Sequence, residues 1–469
     1  MRRMNAGASL TTLPVVALLS LLSCLVACAQ GVGWRTDGTG KYPDATPVTT
    51  WSAEEHVIWS LEMDTFSNAT PVFVDDRLFT LAEPDRLVCV DAVTGEVLWE
   101  RTNSLAELAD PAEVTAIEQA QEDAVELRKQ VNRANGQIWR AKQDLQDKPD
   151  DEALKARITE LEEQIKALRE QLKPYNEAWY SLPEVNPTNG FSSATPVTDG
   201  QNVYVLLATG VCAAYDLEGN RLWSRVVGKS TIEWGPSQSP LLCGDLLIVH
   251  PHRMLGLSKL TGEEIWQAEL PEKYGTPFVT TVGETEVLVT ASGHFVRASD
   301  GKVLARADVN LDYCGPVVHQ GVAYFIQHGG CAVKLPDAIV NDELALQELW
   351  RTEPKKERYY ASPVVHEGLI YAVMQKGVIS VIDAATGQVV TEKQLDFGKS
   401  VGYPSPTLAG EYLYFSDDNG NTWVMRPGSE LEDVGHNKLE PFRCCPVFIG
   451  DTLFIRGLEN LYCIAEAAG

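Results

Sequence analysis

The residues whose types and spacing suit chemistry are few. His250 and His252 flank Pro251 and offer two imidazoles on one strand face, but no Cys or third His follows at metal spacing, so no zinc site is expected. Asp417-Asp418-Asn419-Gly420-Asn421 is rich in oxygen ligands. It lacks the alternating carboxylates and closing Glu of a calcium loop, and it reads as the Asn/Gly turn of a hairpin. No G-x-S-x-G phrase, phosphate-binding loop or interpretable carboxylate pair occurs, so metal and catalytic residues are both expected to be none. A more regular set is Tyr274, Tyr313, Tyr360 and Tyr403, each three residues before a Pro, with Arg443 at the same place in a further copy. With Trp234, Arg358, Tyr359 and Phe442 nearby, they compose aromatic and cationic surface suited to an apolar peptide, a quinone or a sugar. The competing reading is structural: each Tyr packs between repeats and its hydroxyl ties down a loop.

The elements that must position these residues follow from a repeat. A small residue, Pro, apolar residues, a polar turn and alternating strands recur at Pro71, Pro196, Pro240, Pro277, Pro316, Pro363, Pro406 and Pro446. The steps are 37 to 47 residues except for one of 125. Within each unit a period of two marks half-buried strands, as in Arg77 to Ala82 or Gly368 to Val373. A third strand ends in a shared phrase, Val90-Asp91-Ala92-Val93-Thr94-Gly95-Glu96-Val97-Leu98-Trp99, with variants ending at Trp223 and Trp266. Asp and Gly there make a tight turn, and the Trp is the right size to fill the gap between neighbouring sheets. Each unit is a four-stranded blade. The predicted fold is all-β, an eight-bladed β-propeller whose Tyr positions form a ring at the channel mouth. The last unit lacks a fourth strand, and Val57 to Leu61, with Trp59 matching the outer-strand tryptophans, is expected to complete it and close the ring.

The long step holds an insertion between blades one and two with heptad seams: Ile117, Ala124, Val131, Ile138 and Leu145, then Leu154, Ile158, Leu161, Ile165, Leu168 and Leu172. Lys148-Pro149-Asp150-Asp151 separates them, with Asp150 or Asp151 as cap, so an antiparallel α-helical hairpin of coiled-coil type is predicted. Such an arm suits partner binding or self-association through apolar surface it has to share.

The phrase D-x-x-T-G-x-x-x-W at this spacing resembles the PQQ-like repeat family of eight-bladed propellers. The resemblance covers residues 56 to 469 apart from the insertion, and it departs at Ala305, Thr391 and Met425-Arg426-Pro427-Gly428, where the phrase is eroded. It implies one of two activities. The family holds non-catalytic scaffold lipoproteins of outer-membrane-protein assembly, and it also holds quinone-dependent dehydrogenases using PQQ with calcium. Some of the latter carry a vicinal disulfide over the cofactor, which makes adjacent Cys444 and Cys445 the best argument for an enzyme. Blades of about 40 residues, however, leave little room for a cofactor's loops, and no haem-attachment phrase occurs.

Composition restricts the setting. Thirty-nine Lys and Arg face 65 Asp and Glu, a net charge of −26, which argues against nucleic acid as a partner. Residues 1–29 read as an export signal, cationic at Arg2-Arg3 and apolar from Leu10 to Ala27. Leu25-Val26-Ala27-Cys28 fits a lipobox that would lipidate Cys28, while Ala27-Cys28-Ala29 fits ordinary cleavage. The expected division is then a linker at 30–55, closing strand and first blade at 56–100, the insertion at 101–190 and blades two to eight at 191–469. The functional expectation is an exported scaffold in the periplasm or at the outer membrane, without cofactor, binding protein partners of the cell envelope and touching membrane only through a lipid anchor. The alternatives are a PQQ-dependent oxidoreductase and a small-ligand or glycan-binding propeller.

Overall fold

A computed structural model describes residues 32–466; the signal and Cys28 lie outside them. Eight antiparallel sheets follow one another in chain order, each running from an inner strand outward. Blade one is Val72–Val74, Arg77–Ala82, Arg86–Asp91 and Val97–Thr102. Blades two to seven repeat that order from Val197 to Lys438. The eighth consists of Val447–Ile449, Thr452–Arg456 and Asn460–Ile464, with β2 (Val57–Glu62) as its outer strand. Leu61 opposes Leu461 in that last pairing, so the chain start closes the ring as expected.

The shared phrase works as an inter-blade clamp. Trp59, Trp99, Trp223, Trp266 and Trp350 each donate the indole N–H to a carbonyl at the turn of the following blade: Ala92, Leu217, Lys259, Ala298 and Ala384, at 2.9–3.0 Å. Each ring lies against the glycine of that turn. At Gly387, φ is +74° and an added Cβ would stand 2.5 Å from the Trp350 ring, so the position requires both positive φ and no side chain.

Where the tryptophan is missing, the seam is filled by other means. Beside Ala305, Leu344 donates its N–H to the Leu304 carbonyl, and Asp342 pairs with Arg297 (2.7 Å) and Lys302 (2.8 Å). After Thr391, Lys393 reaches the Leu431 carbonyl (2.6 Å) and Asp433 (2.8 Å). Between blades seven and eight the filler is the N-terminal segment. Buried Ala45, Val48 and Trp51 pack with Tyr414, Phe448 and Tyr462, and Asn437 ties the Trp51 N–H (2.8 Å) and the Thr49 carbonyl (3.0 Å).

The linker expected at 30–55 is therefore corrected over its described part, residues 32–55. The segment crosses the channel: Val32 bridges Thr198 of blade two, and β1 (Lys41–Tyr42) pairs in parallel with Thr407–Ala409 as a fifth, innermost strand of blade seven. The eroded seam offers a gap that Trp51 fills, and burial of such a ring outweighs the entropy of a free linker.

The insertion is a hairpin of α1 (Val114–Asp147) and α2 (Glu152–Glu177), with Asp151 capping α2 by accepting from the Ala153 and Leu154 N–H groups. Its core joins Ala124, Val131, Ala134, Ile138 and Ala141 to Ile158, Leu161, Ile165, Leu168 and Leu172. No propeller residue belongs to that cluster. The seams are thus spent between the two helices, and the arm does not carry the open apolar stripe that the heptads suggested. The return chain is fastened by Glu83, whose carboxylate accepts from the Phe191 and Ser192 N–H groups, both at 2.7 Å.

Gly387→Ala is expected to cost about 3 kcal/mol, combining a disfavoured φ with overpacking against Trp350. Gly321→Ala, where φ is +73° and the space is open, is expected to cost about 1 kcal/mol. Chemical denaturation of both variants measures the difference.

Candidate functional site

A ring of small hydroxyl side chains builds the channel wall. The residue before each leading proline is Thr70, Thr195, Ser239, Thr276, Gly315, Ser362, Ser405 or Cys445. The N–H of Thr70 donates to Thr195 Oγ1 (3.2 Å), Thr195 to Ser239 Oγ (3.0 Å) and Ser239 to Thr276 Oγ1 (3.1 Å). Gly315 donates to Ser362 Oγ (2.8 Å), Ser362 to Ser405 Oγ (2.9 Å) and Cys445 to Thr70 Oγ1 (3.0 Å). These donors stand just before the inner strands, where no sheet partner reaches them, and at six of the eight junctions the next blade's hydroxyl satisfies them. At Gly315 the approach is too close for a side chain, since an added Cβ would collide with the Thr276 carbonyl.

Above this belt opens a cavity of about 540 Å³. All six sequence-predicted residues, Tyr274, Tyr313, Tyr360, Tyr403, Arg443 and Trp234, line it. The tyrosines form a continuous row with centroid separations of 5.8, 4.8 and 5.0 Å. Arg358 donates to the Tyr360 hydroxyl (3.2 Å) and lies 5.9 Å over the Tyr313 ring. Arg443 approaches Asn68 Oδ1 (3.4 Å) and the Thr188 carbonyl (3.3 Å), and its Nε is buried without a partner. Burial pushes the Tyr403 and Tyr274 phenols up; at Tyr403 the nearby Arg443 and Arg358 oppose the rise. Tyr359 and Phe442 are corrections: both are buried in inter-blade packing away from the mouth.

Sequence reasoning missed the floor. Trp34 lines the cavity, and Arg35 beneath it is 1% exposed, donating to the Pro363 (3.0 Å) and Pro406 (3.1 Å) carbonyls across the channel. Desolvation lowers the Arg35 pKa to about 10. No repeat phase marks this segment, whereas Ser or Thr before six of the eight prolines was a visible signal for the belt.

Cys444 and Cys445 are free thiols, as are all eight cysteines of the described residues. The side chains of the adjacent pair part just before the inner strand begins at Val447. Cys444 joins the apolar cluster of blades seven and eight, while Cys445 faces the channel. Adjacent Cα atoms also stand about 3.8 Å apart, shorter than a disulfide ordinarily spans. Burial pushes the Cys445 thiol up, against the opposing effect of Arg35. His250 is buried in blade three, and among the described residues no three His, Cys, Asp or Glu side chains converge to hold a metal ion. Asp417 closes its turn by accepting from the N–H groups of Asn419 (3.0 Å) and Asn421 (2.9 Å).

Comparison with known proteins places this geometry. The family model described as outer membrane protein assembly factor BamB matches residues 47–152 and 184–310. Among solved structures, BamB from Moraxella catarrhalis is similar with a TM-score of 0.55 and 12% identity, over 88% of this chain and 97% of that one. A europium-containing methanol dehydrogenase is similar at 0.51 and 11%, over 87% and 93%. The quinohemoprotein alcohol dehydrogenase from Comamonas testosteroni is similar at 0.52 and 9%, over 88% and 77%. At these identities the likeness establishes the fold. No curated protein matches the chain by sequence.

Burial of His250 predicts a pH dependence of stability. Desolvation lowers its pKa from 6.5 to about 4, so the native ring stays neutral where the unfolded ring gains a proton. Stability contributed by the neutral form is present above pH 6.5 and is lost as pH falls toward 4, by at most about 3 kcal/mol. Denaturation of parent and His250→Gln across that window checks this; the parent is expected to lose more stability than the variant on acidification.

Proposed function

The chain is a member of the PQQ-like repeat propeller family, and we propose that within it this protein is an exported, non-catalytic scaffold of the cell envelope, in the periplasm or at the outer membrane. One observation carries the reading: a helical hairpin with its own core is planted on the rim of the channel mouth. Its base is closed by Arg128, which donates to the Leu182 carbonyl of the return chain (2.9 Å), and is tied to the propeller by Lys229, which donates to Ser181 Oγ (2.7 Å). One α1 face presents Lys129, Arg133 and Arg140, spaced four and seven residues apart, and Trp139, which is 65% exposed, lies about a quarter-turn around the helix from it. No acidic residue lies between Glu126 and Asp144, in a chain of net charge −26. An aromatic anchor flanked by cations is the composition that protein interfaces favour and surfaces otherwise avoid. Contact is thus expected through this basic, aromatic face and not through the heptad seam.

The rival reading, a calcium- and PQQ-dependent oxidoreductase, finds less support. Calcium takes six to eight oxygen ligands, usually with several carboxylates. The mouth supplies Glu233 and Asp312 without a third acidic group converging on them. The donor set does not fit calcium. No helix among the described residues is long and apolar enough to cross a membrane.

A photo-cross-linking residue at Trp139 in the native envelope is expected to give a discrete protein adduct, and the same residue at exposed Val93 none. Deleting residues 112–178 is expected to abolish partner association while leaving the propeller's cooperative melting in place. PQQ- and calcium-dependent dye reduction by the purified protein would overturn the reading.

A further inference from the structure

The mouth cavity has two charged poles. Blades follow the ring in chain order, so Glu233 and Asp312 fall on the arc of blades three to five, and Arg358 and Arg443 on the arc of blades six to eight. None of the four is neutralised. Arg358 bonds only to the Tyr360 hydroxyl, Arg443 only to uncharged oxygens at 3.3 and 3.4 Å, and neither acid's carboxylate has a hydrogen-bond or ion-pair partner among the described residues. Glu233, Asp312 and Arg358 are exposed and Arg443 is half-buried with an unpartnered Nε, and charges sorted by sign around one concave wall complement a ligand that carries both signs.

The tyrosine row runs in three steps of 4.8–5.8 Å from Tyr274, beside Glu233, to Tyr403, beside Arg443, while Asp312 and Arg358 both stand at its middle, at Tyr313. Phenol hydroxyls both donate and accept, which suits the alternating N–H and C=O groups of a peptide backbone, and the rings offer apolar area to side chains. An extended chain advances roughly 3.5 Å per residue, so three or four residues match the row. The cavity is blind, because Trp34, Arg35 and the belt beneath them close the channel. A blind cup of about 540 Å³ takes a short chain with both ends inside, not a strand threading through. A polyanion would meet Glu233 and Asp312, and a neutral sugar would draw on neither sign of charge.

We propose that the mouth binds short peptides with free termini, the ammonium end at Glu233 and the carboxylate end at Arg443. This site is independent of the helical arm and of the scaffold reading. Guanidinium groups hold carboxylates through charge-assisted hydrogen bonds, and a buried Arg443 Nε without a partner is a donor already in position.

Calorimetric titration of the purified protein with tetra-alanine and with trileucine tests this. Saturable binding of one peptide per chain is expected, weakened at least tenfold by N-acetylation and at least tenfold by C-amidation. In Arg443→Gln the free and amidated peptides are expected to bind alike, while N-acetylation still weakens binding; in Glu233→Gln the discrimination against N-acetylation is expected to fall and that against amidation to remain. Parent-like melting of both variants separates these effects from misfolding. Absence of saturable binding by either peptide, or affinity indifferent to blocking both ends, would overturn the proposal.

Discussion

The backbone N–H just before each inner strand is the donor on which this structure turns. It sits at the channel wall, where no further strand pairs with it, and an unsatisfied buried donor costs about 1–3 kcal/mol. Six blades solve this with the hydroxyl of the next blade. The solution sets the angle between blades, fixes where the chain leaves the belt, and so aligns the residues three positions before each proline into one rim. The tyrosine row follows from the belt: Tyr274, Tyr313, Tyr360 and Tyr403 meet because the Thr, Gly and Ser residues beneath them are in register.

The outer circumference is held more loosely, and its variations explain the rest of the fold. Five seams share one tryptophan clamp, and the three without it each recruit a different filler. The seam between blades seven and eight recruits the chain start, which puts Trp51 into the gap and, upstream, Trp34 and Arg35 into the channel. A lost outer tryptophan and a closed channel floor are thus two consequences of one path. That path turns a through-channel into a cup with a wall of tyrosines and a base of Trp34 and Arg35.

Much of this was legible in the sequence because repetition copies a physical requirement eight times. The prolines, the Asp and Gly turns and the strand periodicity gave the blades, and the Tyr spacing gave the row. The helices were legible from heptads, but their partner was not: a seam of Ala against Leu and Ile states that something packs there, and α2 satisfies it before any outside protein can. The plug was illegible for the opposite reason. Residues 32–52 occur once, carry no period, and owe their position to a gap that only the assembled ring creates. Adjacent Cys444 and Cys445 suggested a bond, but one side chain joins the apolar cluster of blades seven and eight and the other faces the channel, a fact of backbone geometry and not of composition.

The central claim is that the belt and the N-terminal segment together seal the channel and make the mouth a blind cup. Hydrogen–deuterium exchange of the purified protein, followed for peptides covering residues 34–42 beside those covering the inner strands, tests it most directly. Sealing predicts that the segment exchanges as slowly as the inner strands and opens only with global unfolding. Exchange of residues 34–42 within minutes, while the inner strands stay protected, would mean that the channel is open and the cup has no floor.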